Sequence, residues 1–289
     1  MPFDLGLVGK PMDPVRMEYD WKDTVLYALG IGSKKDELDY LYEKRGPKVY
    51  PSFAVVPKFQ PMMNLLQRGG ATWENIIHAG EAVRIHRPFA AAGILWTTAT
   101  IRALYNMKKF AKLVVDTLTT DDRGEPLAIT TSSILLRGEG GLGEPPPKEE
   151  KKASIPKNKQ PDFHVEESVS PEQALLYRLV GDLNPLHIDP EFAGAAGFEK
   201  GPILHGLCTF GYIVRHIAKG MFRGDATKIV KVEGLFRKPV WPGDTLVTQG
   251  WRVEPGIIAL QISVKETREA VLGGAHAVVA EEGSDELFC

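Results

Sequence analysis

Cysteine is scarce in this chain. Among 289 residues there are two, Cys208 inside an apolar segment and Cys289 at the last position. Thiols so placed exclude a disulfide framework and point to a reducing compartment. An excess of charge of one sign is also missing. Lys and Arg number 35 and Asp and Glu 37, a formal charge of −2, which gives no support for nucleic acid or an anionic membrane as a partner. Long apolar runs are absent too. The longest stretches free of Asp, Glu, Lys and Arg are Pro88–Ile101 and Gly201–Val214, 14 residues each. Both fall short of the roughly 20 apolar residues of a membrane span. Met1-Pro2-Phe3-Asp4 opens with no basic start followed by an apolar core, so no secretory signal is read.

What is present is a soluble, core-forming composition, 43% apolar and 25% charged. Residues 137–161 stand apart, rich in Gly, Pro and Lys and without apolar periodicity. That composition cannot bury enough surface to offset its ordering entropy, so the segment reads as a linker. The expected organisation is a first unit over 1–137, a linker over 138–161 and a second unit over 162–289.

The halves repeat each other at an offset of 150. Leu26-Tyr27 matches Leu176-Tyr177, Arg87 matches Arg237, Gly93 matches Gly243, Thr98 matches Thr248, Val114 matches Val264, Thr117 matches Thr267 and Gly124 matches Gly274. A constant offset through separate segments argues for a duplicated unit.

The second half is the more readable copy. Phe163–Val169 reads as a strand. Ser170-Pro171-Glu172-Gln173 reads as a capped helix start, with Ser as cap, Pro first and Gln at the capping-box position, and the helix runs to Val180. Pro190–Ala196 predicts a short helix and about Gly206–Met221 a long apolar one. Strands are expected over Lys228–Lys238, Asp244–Glu254, Ile257–Thr267 and Ala270–Glu281. A long helix followed by an antiparallel meander predicts an α+β layer, a sheet wrapped round one helix.

The densest polar segment is the loop Gly181–Asp189, where Asp182, Asn184 and His187 can converge on one small molecule. An Asp and a His held together can divide acid and base roles. The plainer reading is that these residues cap turns. Two features favour chemistry. Gly206 opens an apolar helix, whose free N–H groups and dipole suit a developing oxyanion. The first copy also lacks the polar set: at the 150 offset Gly32 stands opposite Asp182 and Glu37 opposite His187, and aligning Pro51 with Pro202 puts Ala54-Val55 opposite His205-Gly206. His187, Asp189 and His205 have metal-ligand chemistry, but Asp189-Pro190 reads as an ordinary helix start, so no metal is expected. Cys208 reads as packing, and no Gly-rich phosphate loop follows a strand, so no nucleotide cofactor is expected.

The run Tyr177–Asp189, then Gly197-Phe198 and Pro202–Thr209, resembles the hydratase 2 motif of the MaoC-like family. The resemblance extends to Val49-Tyr50-Pro51 and Phe236–Gly243 and takes in the hydratase part of peroxisomal multifunctional enzymes. Val180 departs from the small residue usual there. The resemblance implies a double hot-dog fold and reversible, cofactor-free hydration of trans-2-enoyl-CoA to (3R)-3-hydroxyacyl-CoA. It implies Asp182 and His187 as the acid/base pair, Asn184 as orienting the site and the Gly206 N–H as oxyanion donor. It also implies contacts to the CoA ester from His78, Ala79 and Phe236 and to CoA phosphates from Lys108 or its neighbour Lys109. Ala79 stands where the family shows Gly. A homodimer without nucleic-acid partner or membrane span is expected, in the bacterial cytoplasm, with a peroxisome as the alternative. Glu286–Cys289 is not a peroxisomal address of the Ser-Lys-Leu type. The rival readings are a hot-dog thioesterase and a non-catalytic acyl-CoA binding module.

Overall fold

The computed structural model describes residues 3–148 and 153–280; Cys289 and the terminal tetrapeptide lie outside them. The first half supplies strands β1 (Val15–Tyr19), β2 (Ile76–Ile85), β3 (Gly93–Asn106), β4 (Phe110–Asp121) and β5 (Pro126–Arg137). Its helices are α1 (Trp21–Gly30), α2 (Leu38–Leu41) and α3 (Val55–Arg68). The second half supplies β6 (Phe163–Ser168), β7 (Ile229–Phe236), β8 (Thr245–Glu254), β9 (Ile257–Val264) and β10 (Ala270–Val279), with α4 (Gln173–Tyr177), α5 (Pro190–Ala195) and α6 (Gly206–Phe222). The expected second-half strands and helices are present with ends shifted by a few residues.

One departure is informative. Ser170 does not cap the helix after it. α4 begins at Gln173 with no side-chain cap, and Ser170 bonds to Glu172 instead. Gln173 reaches out of its own half, donating from Nε2 to the carbonyls of Leu29 (2.9 Å) and Gly30 (2.6 Å) and accepting from Tyr212 Oη (3.0 Å). Leu29 O also accepts from the Gly32 N–H (3.0 Å) and Gly30 O from Cys208 Sγ (3.2 Å), so Gln173 completes a set of bonds that closes the end of α1 in place of a local capping box.

All ten strands form one antiparallel sheet in the order β1-β3-β4-β5-β2-β7-β10-β9-β8-β6. The order reads alike from either end once each strand is replaced by its counterpart in the other half. The centre is the β2–β7 pair, with Gly80 opposite Leu235 and Val83 opposite Val232. The largest core is shared, including Tyr27, Phe53 and Val83 from the first half and Tyr177, Phe210 and Val232 from the second. A second core lies under α3, with Met62, Leu66, Ile101 and Ile134. α3 and α6 are the counterpart long helices, and they start at Val55 and Gly206, the positions the repeat aligns. The described ends of the linker are tied down: the Asn106 N–H donates to Glu144 O (2.8 Å) and Trp251 Nε1–H to Lys159 O (2.9 Å).

The repeat positions opposite the polar loop are used for joining the halves. Glu37, opposite His187, accepts from Arg215 Nε on α6 (2.9 Å), while Arg215 also donates to Glu167 (2.7 Å). Arg215 is fully buried. Gly32, opposite Asp182, has φ of +84°, and a Cβ there would stand 2.4 Å from the Tyr212 ring, so only glycine fits.

Candidate active site

The polar loop is shaped locally. Asn184 caps the turn Pro185–His187, its Oδ1 accepting from the Leu186 N–H (3.0 Å). Asp182 does the same one step earlier, accepting from the Asn184 N–H (3.3 Å). These short-range bonds, with Pro185 fixing the backbone, aim His187 inward, where it is buried. A carbonyl can only accept, so His187 Nδ1 carries the proton donated to Ile203 O (2.8 Å). That leaves Nε2 for other partners. His205 lies beneath, its ring stacked on His187 at 3.8 Å and 29° and its Nε2–H donated to the Asp182 backbone carbonyl (3.1 Å). Tyr177 flanks His205 at 4.9 Å.

A carboxylate oxygen of Asp182 and one ring nitrogen each of His187 and His205 lie within 4.8 Å of one another. Asp189, weighed in the sequence as a metal ligand and discounted as a helix start, is not in this group. It caps α5 instead, accepting from the N–H groups of Glu191 and Phe192. The group suits a metal poorly. A metal sits in the plane of each ligating imidazole at about 2 Å, and two nearly parallel stacked rings do not share such a point.

Electrostatics brings Asp182 and His187 together in proton affinity. Burial pushes the Asp182 carboxyl up, against the pull of His187, the Asn184 N–H, His78 and Lys58. Burial pushes His187 down, against Asp182 and Ile203. An acid raised and a base lowered exchange a proton at little cost, which is what a shared acid/base role needs. Burial, and then the neighbouring His187, hold His205 well below the usual histidine range, so it stays neutral.

Asp182, Asn184 and His187 line a cavity of about 590 Å³ together with Gly206, Phe236, His78 and Ala79. All the site candidates except Lys108 and its alternative Lys109 meet there. Lys108 lies in the β3–β4 turn with φ of +65° and is not among the lining residues. The cations that do line the cavity are Arg137, Arg237 and Lys238, which the sequence reading missed. The apolar walls come from both halves, Phe59, Met62 and Trp73 from the first and Phe192, Phe198 and Leu207 from the second. Gly206 is the first residue of α6, so its N–H has no partner within that helix.

A second polar cluster, also missed, lies behind His78. Lys58 Nζ and Glu81 form a fully buried ion pair, and Ser132 Oγ donates to Glu81 (2.9 Å). No periodicity announces it. Lys58 sits on a helix and Glu81 on a strand, and only the fold joins them.

Comparison with known proteins agrees with this geometry. The family model described as MaoC like domain matches residues 152–274, and that of the MFE-2 hydratase 2 N-terminal domain matches residues 17–138. The peroxisomal enoyl-CoA hydratase 2 of Arabidopsis thaliana is 34% identical, over 93% of this chain and 93% of its own. The peroxisomal multifunctional enzyme type 2 of Mus musculus is 34% identical over 94% of this chain, which spans 38% of that longer protein. The crystal structure of a MaoC-like dehydratase from Phytophthora capsici superposes with a TM-score of 0.86 at 30% identity, covering 98% of this chain and 100% of that one. The chain belongs to the MaoC-like hydratase 2 family, and its architecture is the double hot-dog. Among the described residues no helix is long and apolar enough to cross a membrane.

Proposed function

We propose that this chain is an (R)-specific 2-enoyl-CoA hydratase, a hydro-lyase that interconverts trans-2-enoyl-CoA and (3R)-3-hydroxyacyl-CoA without a cofactor. One observation carries the reading. The Asp182 carboxyl and the His187 imidazole, within 4.8 Å of each other, line the same cavity as the open N-terminus of α6.

Hydration needs three things, and this site supplies each. Water must lose a proton as its oxygen attacks C3, C2 must gain one, and the thioester oxygen must carry charge while the enolate forms. Asp182 and His187 handle the two protons, and Asn184 holds the loop that aims them. The Gly206 N–H, backed by the helix dipole, meets the enolate oxygen. Both proton-transfer groups stand on one loop and approach one face of the substrate, which suits syn addition. Arg137, Arg237 and Lys238 suit the CoA phosphates, and the first half holds the acyl chain without carrying the reaction.

We read the molecule as a homodimer. Leu175, Leu179 and Leu183, each more than half exposed within nine residues of chain, are apolar surface in support. Light scattering tests it. The bacterial cytoplasm is the preferred setting and a peroxisome the alternative.

The deciding experiment is a panel of trans-2-enoyl-CoAs, following loss of enoyl absorbance and release of free thiol, with chiral analysis of products. Loss of absorbance without thiol and a 3R product is expected. Thiol release would instead favour a thioesterase, and a 3S product would overturn the stereochemical assignment.

A further inference from the structure

Successive side chains of a strand alternate in direction, so residues three apart belong on opposite faces. His78 and Glu81 of β2 break that rule, since His78 Nε2–H donates to Glu81 Oε2 at 3.0 Å and lies 3.1 Å from Gly80 O. The cause is a bulge at Ala79. His78 pairs with Ile134 and Gly80 with Ser133, leaving Ala79 without an opposite in β5. One extra residue turns His78 to the side of Glu81. Ser132, paired in register with Glu81, donates its hydroxyl to the same carboxylate oxygen and accepts from Lys58 Nζ at 2.7 Å.

The cation matters to this arrangement. A carboxyl group so buried would ordinarily bind a proton. Burial does push Glu81 up, but Lys58 and His78 outweigh it and hold the group below the usual carboxylate range. As a carboxylate, Glu81 Oε2 accepts from Lys58, Ser132 and His78 together. As an acid it would have to give one of them up.

Contacts continue from His78 into the other half. β2 pairs with β7, Gly80 opposite Leu235, and the His78 ring meets that of Phe236 edge to face at 5.2 Å. Phe236 in turn packs on Gly206, whose Cβ position would be 3.2 Å from the ring. A buried charge pair in the first half is thereby linked to the start of α6 in the second.

We propose that Lys58 and Glu81 are positioning residues that fix His78, and through it Phe236, against the N-terminus of α6, so that the thioester oxygen is held on the Gly206 N–H. This rests on the hydratase reading above. The Gly206 contact strengthens as the enolate forms, so a loosened Phe236 lowers kcat more than it raises KM.

The test uses the full chain, a trans-2-enoyl-CoA substrate and thermal melts. The variants are His78→Ala, Glu81→Gln, the pair Lys58→Met with Glu81→Gln, and each of the last two combined with His78→Ala. The paired variant removes both charges, so neither is left buried alone. His78→Ala and the paired variant should each lower kcat by about 10- to 100-fold with Tm held and KM within about twofold. In the His78→Ala background the paired change should cost less than about twofold more, because the residues act in series. Full kcat in either His78→Ala or the paired variant overturns the proposal, and so do additive losses. If Glu81→Gln alone fails to fold, the paired variant still decides. Failure of the paired variant to fold would make the cluster purely structural and equally overturn the proposal. Wild-type chain inactive on every enoyl-CoA refutes the hydratase reading instead, an outcome distinct from an active wild type with additive losses.

Discussion

At the scale of single residues, the acid/base roles proposed for Asp182 and His187 make them one unit, so their loss should not add. Asp182→Asn and His187→Ala should each lower hydration by at least about 10²-fold with folding intact, and the double variant should be little worse than the worse single. Steady-state kinetics beside circular dichroism measures both. Near-normal turnover in either single variant would remove it from the chemistry. Gly206 is constrained differently. Its backbone is ordinary helix, and the crowding comes from Phe236. Gly206→Val should lower kcat strongly and Tm little, because the added branch displaces a ring at the cavity wall and not a core side chain. A large fall in Tm with kcat preserved would contradict this account.

Elements of the two halves are joined by buried polar bonds as well as by apolar packing. Gln173 at the start of α4 satisfies two carbonyls at the end of α1, and Tyr212 of α6 donates to it. Gln173→Leu removes both donations and takes the acceptor from the buried Tyr212 hydroxyl, while Leu29 O keeps the Gly32 N–H and Gly30 O keeps Cys208 Sγ, so the loss should be about 1–3 kcal/mol in all. Urea unfolding should show a lower midpoint with an unchanged m-value. A stability equal to wild type would mean that other groups satisfy the α1 end. The segment also shows where a sequence pattern misleads. Ser-Pro-Glu-Gln has the form of a capping box, and a local reading has no access to the carbonyls 143 and 144 residues away that claim the glutamine.

For the whole molecule, the continuous sheet and the buried Arg215 make the halves interdependent. Residues 162–289 alone would expose the β7 edge that β2 covers, uncover the shared core, and leave Arg215 with Glu167 but without Glu37. That fragment should therefore be insoluble or unfolded when expressed alone, and co-expression with residues 1–161 should rescue it. A well-folded fragment hydrating long-chain substrate at full rate would overturn both this and the acyl-holding role of the first half. Stability should also fall with acid in two windows. His187, His205 and His216 are all lowered by burial, so the unfolded chain binds protons that the folded one does not. Their contribution is complete above about pH 6.5 and is lost as pH falls below it. Glu167 is pushed up by burial but held down to about 2 by its bonds to His216 and Arg215. Its contribution is present above the usual carboxylate range and is lost as pH falls toward about 2. Melts from pH 8 to pH 3 should show a flat region, then a decline from near pH 6.5 that is shallower in His216→Gln. A Tm independent of pH between about 7 and 5 would contradict it.

Local chemistry was legible in the sequence of this protein. Asp182, Asn184 and His187 lie within six positions, and bonds between near neighbours shape their loop. Gly206 stands where an apolar helix begins, and the repeat aligned α3 with α6. Such features depend on spacing along the chain, which the sequence states directly. The tertiary structure alone decided that β2 and β7 merge two sheets into one, that Arg237 and Lys238 line the cavity while Lys108 does not, and that Glu37 is spent on Arg215. It alone brought Lys58 to Glu81 and, through one extra residue at Ala79, turned His78 to face that pair. Those contacts join positions far apart in the chain or depend on a change of strand register, and neither leaves a periodic mark, because what selects them is the free energy of burying charge with a partner instead of without one.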